Sequence, residues 1–225
     1  AKLNIFRNKR YPFNQDQRPP WPQDLIKQIK QPFVFDSTSL LPSQINYSEL
    51  NAISDEPGVV EFSDLTFEGG KISNIMEVLN RSTMLTLDAQ AKLFGEALLQ
   101  VGFRFDMTSP VYYHTATGSL QPMELNAINK MLAKSAPMKI EGGKLNRFDF
   151  DLTLNKNNSE GMLYLGYEDL KIAVMEYNDG EQQKSKLASF WANKMIINSK
   201  NPKGDNLKPV SIIYKRDEKR SIINY

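Results

Sequence analysis

The sequence contains no cysteine, one histidine and no long run of apolar residues. Without cysteine the chain cannot form disulfides, thiolate metal sites or cysteine nucleophiles. His114 is the single histidine, so histidine-rich metal sites are excluded and a Ser-His-Asp arrangement could use only this residue. No stretch approaches the roughly 18 consecutive apolar residues of a membrane span, and the charged, proline-containing start lacks the pattern of a signal peptide.

An excess of charge of one sign is also missing. The 28 Lys and Arg residues against 26 Asp and Glu residues give a net charge of only +2. This near balance removes the electrostatic argument for a nucleic-acid partner, so we predict none. With 225 residues the chain can bury a substantial core, and we predict a single domain over residues 1–225. Its apolar ends, "AKLNIF" and "RSIINY", suggest a piece of a longer protein.

Alternation of apolar and polar residues is the main structural signal. Residues 1–31 predict an extended, proline-rich lead-in followed by a short helix that starts at Pro22. Strands are predicted at 33–36, 44–49, 59–67, 84–93, 99–105, in "PVYYHTATGSL", in two long arms around "KNNSEG", and at 209–215. Helical spacing is predicted from Pro122 to about 134 and from Lys184 to about Asn198. The fold class is therefore mainly β: a meandering antiparallel, twisted and bulged sheet with two or three short helices, which could leave an open groove.

One face of this predicted sheet is apolar. Its members are Leu85, Leu87, Leu99, Val101, Phe103, Phe105, Phe148, Phe150, Leu163, Leu165 and Tyr167. Asp149 and Asp151 alternate with Phe148 and Phe150, so they should point to the opposite face and to water. Either the helices cover the apolar face as an ordinary core, or part of the face is exposed as a binding surface.

The alternation changes phase at two aspartates. In "VVEFSDLTFEGG" the change falls at Asp64, and in "LYLGYEDLKIAV" it falls at Asp169. An extra residue in a strand produces this shift, so we predict a β-bulge at each position, with the carboxylate bonded to local amides. The alternative is a hydrolase that uses His114 or Asp169. It is the least favoured hypothesis, because no second acid, base or phosphate-loop motif accompanies either residue.

Several segments resemble a known family. The run from "TATGSLQPMELNAINK" through "GYEDLKIAVM", together with "LASFWANKMIINSKNP" and "IIYKRDEKRSIINY", resembles the C-terminal region of AsmA-like (AsmA/TamB-related) bacterial envelope proteins, particularly large Bacteroidetes members. The likeness is most specific from about Gly118 to Tyr225 and fainter from Lys9 to Asn51. It implies a periplasmic β-sheet lined with apolar residues, an inner-membrane anchor outside this sequence, and a part in outer-membrane biogenesis or phospholipid transport.

The resemblance implies no catalytic residues and no cofactor, and we predict neither an enzyme nor a metal site. Phospholipid acyl chains are the implied ligand and other envelope proteins the implied partners. A structural or protein-interaction module of the envelope, without lipid cargo, remains the alternative.

Overall fold

The computed structural model describes residues 1–11, 20–51, 56–80, 84–135, 138–178, 181–185, 188, 198–202 and 206–216. Within these residues the chain is mainly β, as the alternation predicted, with one large sheet and three short α-helices. No helix in the described ranges has the length and apolarity needed to cross a membrane.

The strands are β1 (Lys2–Asn8), β2 (Val34–Phe35), β3 (Thr38–Leu50), β4 (Gly58–Gly69), β5 (Ile72–Ser73), β6 (Met84–Leu93), β7 (Ala97–Asp106), β8 (His114–Leu120), β9 (Met123–Glu124), β10 (Met138–Leu154), β11 (Asn158–Asn178), β12 (Glu181–Ser185) and β13 (Val210–Lys215). The helices are α1 (Pro22–Gln28), α2 (Met76–Leu79) and α3 (Asn129–Ser135), and a 3-10 turn over Leu125–Ile128 precedes α3.

Eleven of the described strands form a single sheet in the order β1-β3-β4-β6-β7-β8-β10-β11-β12, with β13 added to β11 and β9 added to β10. The predicted antiparallel meander is confirmed from β3 through β12. The exception is β1, which the sequence did not predict as a strand and which runs parallel to β3 at the edge of the sheet. The sheet is therefore mixed, with one parallel pair.

Bulges occur where the apolar phase changes. Across β4 and β6, Ser63 faces Lys92 and Thr66 faces Gln90, which leaves an extra residue in β4 at Asp64. Across β10 and β11, Glu168 faces Lys144 and Lys171 faces Gly142, which leaves an extra residue in β11 beside Asp169. Both aspartates have φ 51, a left-handed conformation that aspartate tolerates better than most residues.

We predicted that backbone amides near each bulge donate hydrogen bonds to the aspartate carboxylate. No such bond occurs among the described residues, so this prediction is wrong. The Asp64 carboxylate instead forms an ion pair with Lys92, with an N–O distance of 2.9 Å, and the exposed Asp169 side chain has no described partner. The bulge conformation already turns the backbone, so the structural role of each aspartate is its tolerance of positive φ.

Two helix predictions need correction. Pro122 does not begin a helix, because Met123 and Glu124 pair with Leu145 and Lys144 as β9, and helical structure starts only at Leu125. The second predicted helix starts on residues that belong to β12, and its residues 186–187 and 189–197 lie outside the described ranges. The helix at Pro22 is confirmed as α1.

Eleven of the described buried apolar side chains form two clusters at opposite ends of the central strands. The α3 cluster contains Phe94, Ala97, Met123, Leu125, Ala127, Ile140 and Leu145, and residues of the 3-10 turn and α3 pack against it. The α1 cluster contains Leu79, Leu85, Phe105 and Met107, with Ile26 of α1 and Ile72 of β5 packed on it. Helical segments therefore cover both ends of one sheet face.

Candidate functional site

The strand register places the eleven candidate residues on one face. Direct neighbours across β6 and β7 are Leu85 with Phe105, and Leu87 with Phe103. The same face continues from Leu99 through Leu120 and Phe148 to Leu165, and from Val101 through Gly118 and Phe150 to Leu163. Side chains of directly paired residues lie on the same side of a sheet, so these positions form continuous rows across the strands.

The two buried clusters divide this face unequally. Leu85 and Phe105 belong to the α1 cluster, and Phe103 packs on it. Phe148, Leu165 and Tyr167 pack against the α3 cluster. Leu87, Leu99, Val101, Phe150 and Leu163 belong to neither cluster and are half-buried. Six of the predicted lipid-facing residues therefore take part in core packing, and five remain as candidates for contact with a ligand.

A row of half-buried and exposed residues lies between the two clusters and belongs to neither. This apolar strip consists of Ala89, Val101, Gly118, Phe150, Leu163 and Val210, one residue from each of β6, β7, β8, β10, β11 and β13. Val210 is 53% exposed. A Cβ on Gly118 would lie 2.5 Å from the ring of Phe150, so the ring occupies the space that the missing side chain leaves free. Glycine is required at this point of close approach.

A groove of about 1020 Å³ lies on the opposite side of the same backbone. Two rows of residues whose side chains alternate with the apolar strip form its walls. Between these rows the groove is also lined by Leu40, Phe67, Ala89, Val101, Gly118 and Phe150, and the last four belong to the apolar strip. The walls are Ser39, Glu68, Asp88, Gly102, Thr117 and Asp151 in one row, and Leu41, Pro42, Thr66, Gln90, Gln100 and Ser119 in the other. We call this feature the polar groove.

The polar groove carries hydrogen-bonding groups that are not used internally. The side chains of Thr66, Gln90, Gln100 and Ser119 make no hydrogen bond to any described residue, although Gln90 and Gln100 are directly paired positions. Glu68 and Asp88 also face each other directly, and within the described ranges only Asp88 has a cation partner, Arg104, at 2.9 and 3.2 Å. The groove can thus bind polar groups through amides, hydroxyls and carboxylates. No cluster of three metal-ligating side chains occurs in the described residues.

Sequence reasoning missed the polar groove. The alternation of Thr86, Asp88, Gln90 and Lys92 marked a polar face, which is normally flat and solvated. The groove is formed by side chains from six paired strands, and single-strand periodicity carries no signal for it. The exposed β3 pair Leu41–Pro42, opposite Thr66, was the one available indication of an irregular rim.

His114 lies inside an aromatic cluster at the α1 end of the sheet. It is 4% exposed, its ring stacks on Phe105, and the edge of Trp21 packs against it. The imidazole Nδ1 donates to the carbonyl oxygen of Tyr112 at 2.8 Å. Burial lowers the pKa of His114. The hydrogen bond to Tyr112 raises this pKa and the positive charge of Arg216 lowers it, so the net shift is downward. His114 is therefore a buried packing residue, and its lowered pKa favours the neutral imidazole.

Comparison of the chain with protein-family models, with curated proteins and with solved structures finds no match.

Proposed function

We propose that this chain is a non-catalytic module of the bacterial periplasm that holds phospholipid acyl chains along the apolar strip. In this proposal it belongs to an AsmA-like protein that is anchored in the inner membrane through segments outside this sequence and takes part in outer-membrane biogenesis or phospholipid transport. The observation that supports it is the apolar strip, which neither buried cluster includes.

The dimensions of the apolar strip suit an acyl chain. Its six strands give five inter-strand spacings, or roughly 24 Å at about 4.8 Å each. One leaflet of a bilayer contributes about half of the roughly 30 Å hydrocarbon core, so an acyl chain is shorter than the strip. Each methylene moved from water onto apolar side chains contributes about 0.8 kcal/mol, without any head-group contact. Binding should therefore discriminate poorly among head groups.

The test compares two neighbouring residues of β11 on opposite faces. Leu163 is in the apolar strip, whereas Met162 is 47% exposed on the other face and pairs with Asp151. Leu163→Asn should reduce extraction of a fluorescent acyl-labelled phospholipid from phosphatidylethanolamine–phosphatidylglycerol vesicles several-fold, and Met162→Asn should not. Both variants should keep a cooperative unfolding transition. Equal extraction by the parent and both variants, or an equal loss in both variants, would refute lipid binding at the strip.

The alternative, a protein-interaction module, is supported by a different observation: among the described strands, none pairs with the outer edge of β1. No described residue supplies His114 or Asp169 with a second catalytic group, so a hydrolase is not proposed.

A further inference from the structure

Helix α1 places some of its side chains opposite to the arrangement expected in water, where apolar residues face the core and polar residues face solvent. Gln23 is 1% exposed, and neither atom of its side-chain amide has a hydrogen-bond partner among the described residues. Leu25 and Ile29, four residues apart and therefore on one side of the helix, are exposed. The outward apolar residues of α1 thus remain unexplained by packing within the chain.

Contacts on its inner side fix this orientation of α1. The ring of Trp21, directly before the helix, stacks on that of Tyr112 with 5.0 Å between the ring centroids. The Tyr112 hydroxyl donates to the Asp24 carboxylate at 3.2 Å, and Ile26 packs on the α1 cluster. Leu25 and Ile29 are therefore held pointing away from the sheet.

The exposed side of α1 continues onto β2, β5 and α2. The Asn74 side-chain amide donates to the carbonyls of Ile29 and Gln31 at 2.7 and 2.9 Å, and its oxygen accepts from the Phe33 amide at 3.0 Å. Strand β2 pairs with β5, and α2 follows β5. This connected unit has five large apolar side chains that are 41% to 56% exposed, which we call the apolar tip: Leu25, Ile29, Val34, Phe35 and Met76. Grouped exposed apolar residues indicate an interaction surface, whereas single ones do not.

The charges at the apolar tip indicate what it contacts. Lys27 and Lys30 lie in the same segment as Leu25 and Ile29, and neither pairs with a described carboxylate. Two of the three acids in the unit have described partners, which leaves Glu77. Lysine is depleted in protein–protein interfaces, whereas lysine interleaved with leucine and phenylalanine is typical of segments that lie in a membrane surface.

The apolar tip adjoins the face that carries the apolar strip. The inner side of α1 packs on the α1 cluster, which contains the outermost of three successive pairs between β6 and β7. From the cluster to the strip, these pairs are Leu85 with Phe105, Leu87 with Phe103, and Ala89 with Val101. A membrane at the apolar tip would therefore lie next to the α1 end of the apolar face.

We infer that the apolar tip docks this chain on the surface of a phospholipid membrane that contains anionic lipid. Leu25, Ile29 and Phe35 enter the boundary between headgroups and acyl chains, and Lys27 and Lys30 contact lipid phosphates. The role of this docking, delivery of lipid to the α1 end of the apolar face, rests on the proposed function.

The test compares two double variants with closely matched exposure. Leu25→Asn with Phe35→Asn changes residues that are 52% and 56% exposed in the apolar tip, and Leu3→Asn with Phe6→Asn changes residues that are 53% and 60% exposed on β1. In flotation with phosphatidylethanolamine–phosphatidylglycerol vesicles, the tip variant should bind at least tenfold more weakly than the parent, and the β1 variant should bind like the parent. No vesicle binding by the parent, or an equal loss in both variants, would refute docking through the tip.

A charge variant tests the same surface if the tip variant does not fold. Lys27→Gln with Lys30→Gln should weaken binding to the phosphatidylglycerol-containing vesicles several-fold and leave the weaker binding to phosphatidylcholine vesicles unchanged. Unchanged binding to both kinds of vesicle would refute the contact with anionic lipid. A dimer in sedimentation that the tip variant disrupts would make a second copy the occupant and overturn the inference.

A lipid that forms no membrane separates docking from binding at the apolar strip. Dihexanoyl phosphatidylglycerol below its micelle concentration should bind the parent and the tip variant equally, and Leu163→Asn several-fold more weakly. Failure of this lipid to bind the parent, while vesicle binding still depends on the tip, would refute the proposed function and support docking. A loss of monomer binding in the tip variant equal to its loss of vesicle binding would refute a separate docking surface.

Discussion

Asp64 and Asp169 share a backbone conformation that costs most L-residues about 1–2 kcal/mol. Asparagine and aspartate visit this left-handed region more readily than other non-glycine residues, and β-branched residues are the least tolerant. The side chain of Asp64 also pairs with Lys92, but both groups are largely exposed, and such surface pairs contribute little.

We therefore expect Asp64→Asn to leave the free energy of unfolding nearly unchanged and Asp64→Val to lower it by about 1–2 kcal/mol. The same pair of substitutions at Asp169 should give the same ranking. Urea denaturation of the four variants measures this. If Asn and Val destabilise equally at Asp64, the ion pair rather than the backbone conformation determines the cost.

His114 should make stability depend on pH. Its pKa in the folded protein is lowered, chiefly by burial, so the unfolded chain takes up a proton first, near pH 6.5. Stability should be constant above that pH and fall as the pH drops below it. Thermal unfolding from about pH 8 to about pH 5 should show this decline in the parent and a smaller one in His114→Phe. A decline of the same size in both proteins would assign the pH dependence to other groups.

The carboxyl group of Glu49 should make stability depend on pH in a lower range. Burial alone would raise the pKa of Glu49, but hydrogen bonds from Lys9 and Tyr47 and the charges of Lys9 and Arg7 outweigh burial, and the pKa is lowered. This group stabilises the folded protein above its unfolded pKa of about 4.3 and loses that effect as the pH falls further. The two effects begin at different pH values, near 6.5 for His114 and near 4.3 for Glu49, so the start of each can be followed in one titration.

Among the elements, the paired strands β4 and β6 place two carboxylates opposite each other, and Arg104 pairs with only one of them, Asp88. Glu68 and Asp88 are directly opposite on the same face, and opposed like charges cost roughly 0.2–1 kcal/mol. We expect Glu68→Gln to raise the free energy of unfolding by an amount in that range, and the gain should shrink at high salt because the charges are exposed. Glu160→Gln, on the more distant strand β11 opposite Thr153, is the control. A gain that persists in high salt would contradict the electrostatic explanation.

The sequence predicted those strands in which apolar and polar residues alternate along the strand itself. In β6, β7, β10 and β11, alternation alone gave the type of each element and its exposed face, and the phase changes gave the positions of two bulges. Helical spacing near Met123 and Glu124 was misleading, because pairing with Leu145 and Lys144 about twenty residues away overrode it. The polar groove and the division of the apolar face into clusters and strip depend on contacts between elements, which local periodicity does not contain.

At the scale of the whole molecule, the two clusters and the apolar strip should respond differently to a buried charge. Phe105 is 8% exposed within the α1 cluster. Phe105→Asp should abolish cooperative unfolding or lower the midpoint severely, since an unpaired charge in an apolar environment costs several kcal/mol. Val101→Asp, in the half-buried strip, should keep a cooperative transition in circular dichroism. If both variants unfold alike, the strip is a sealed core and is unavailable to lipid.

The parallel pairing of β1 with β3 determines how this sheet can assemble over time. An antiparallel pair can start at its turn and zip outward, but every register pair between β1 and β3 joins residues that are 42 positions apart. Closing such a loop costs roughly 3 kcal/mol before any contact compensates for it. We therefore expect β1 to dock late, after β3 and β4 have formed their hairpin. Until then the edge of the folding intermediate is the backbone of β3, a longer strand, and aggregation during refolding should be most severe in that interval.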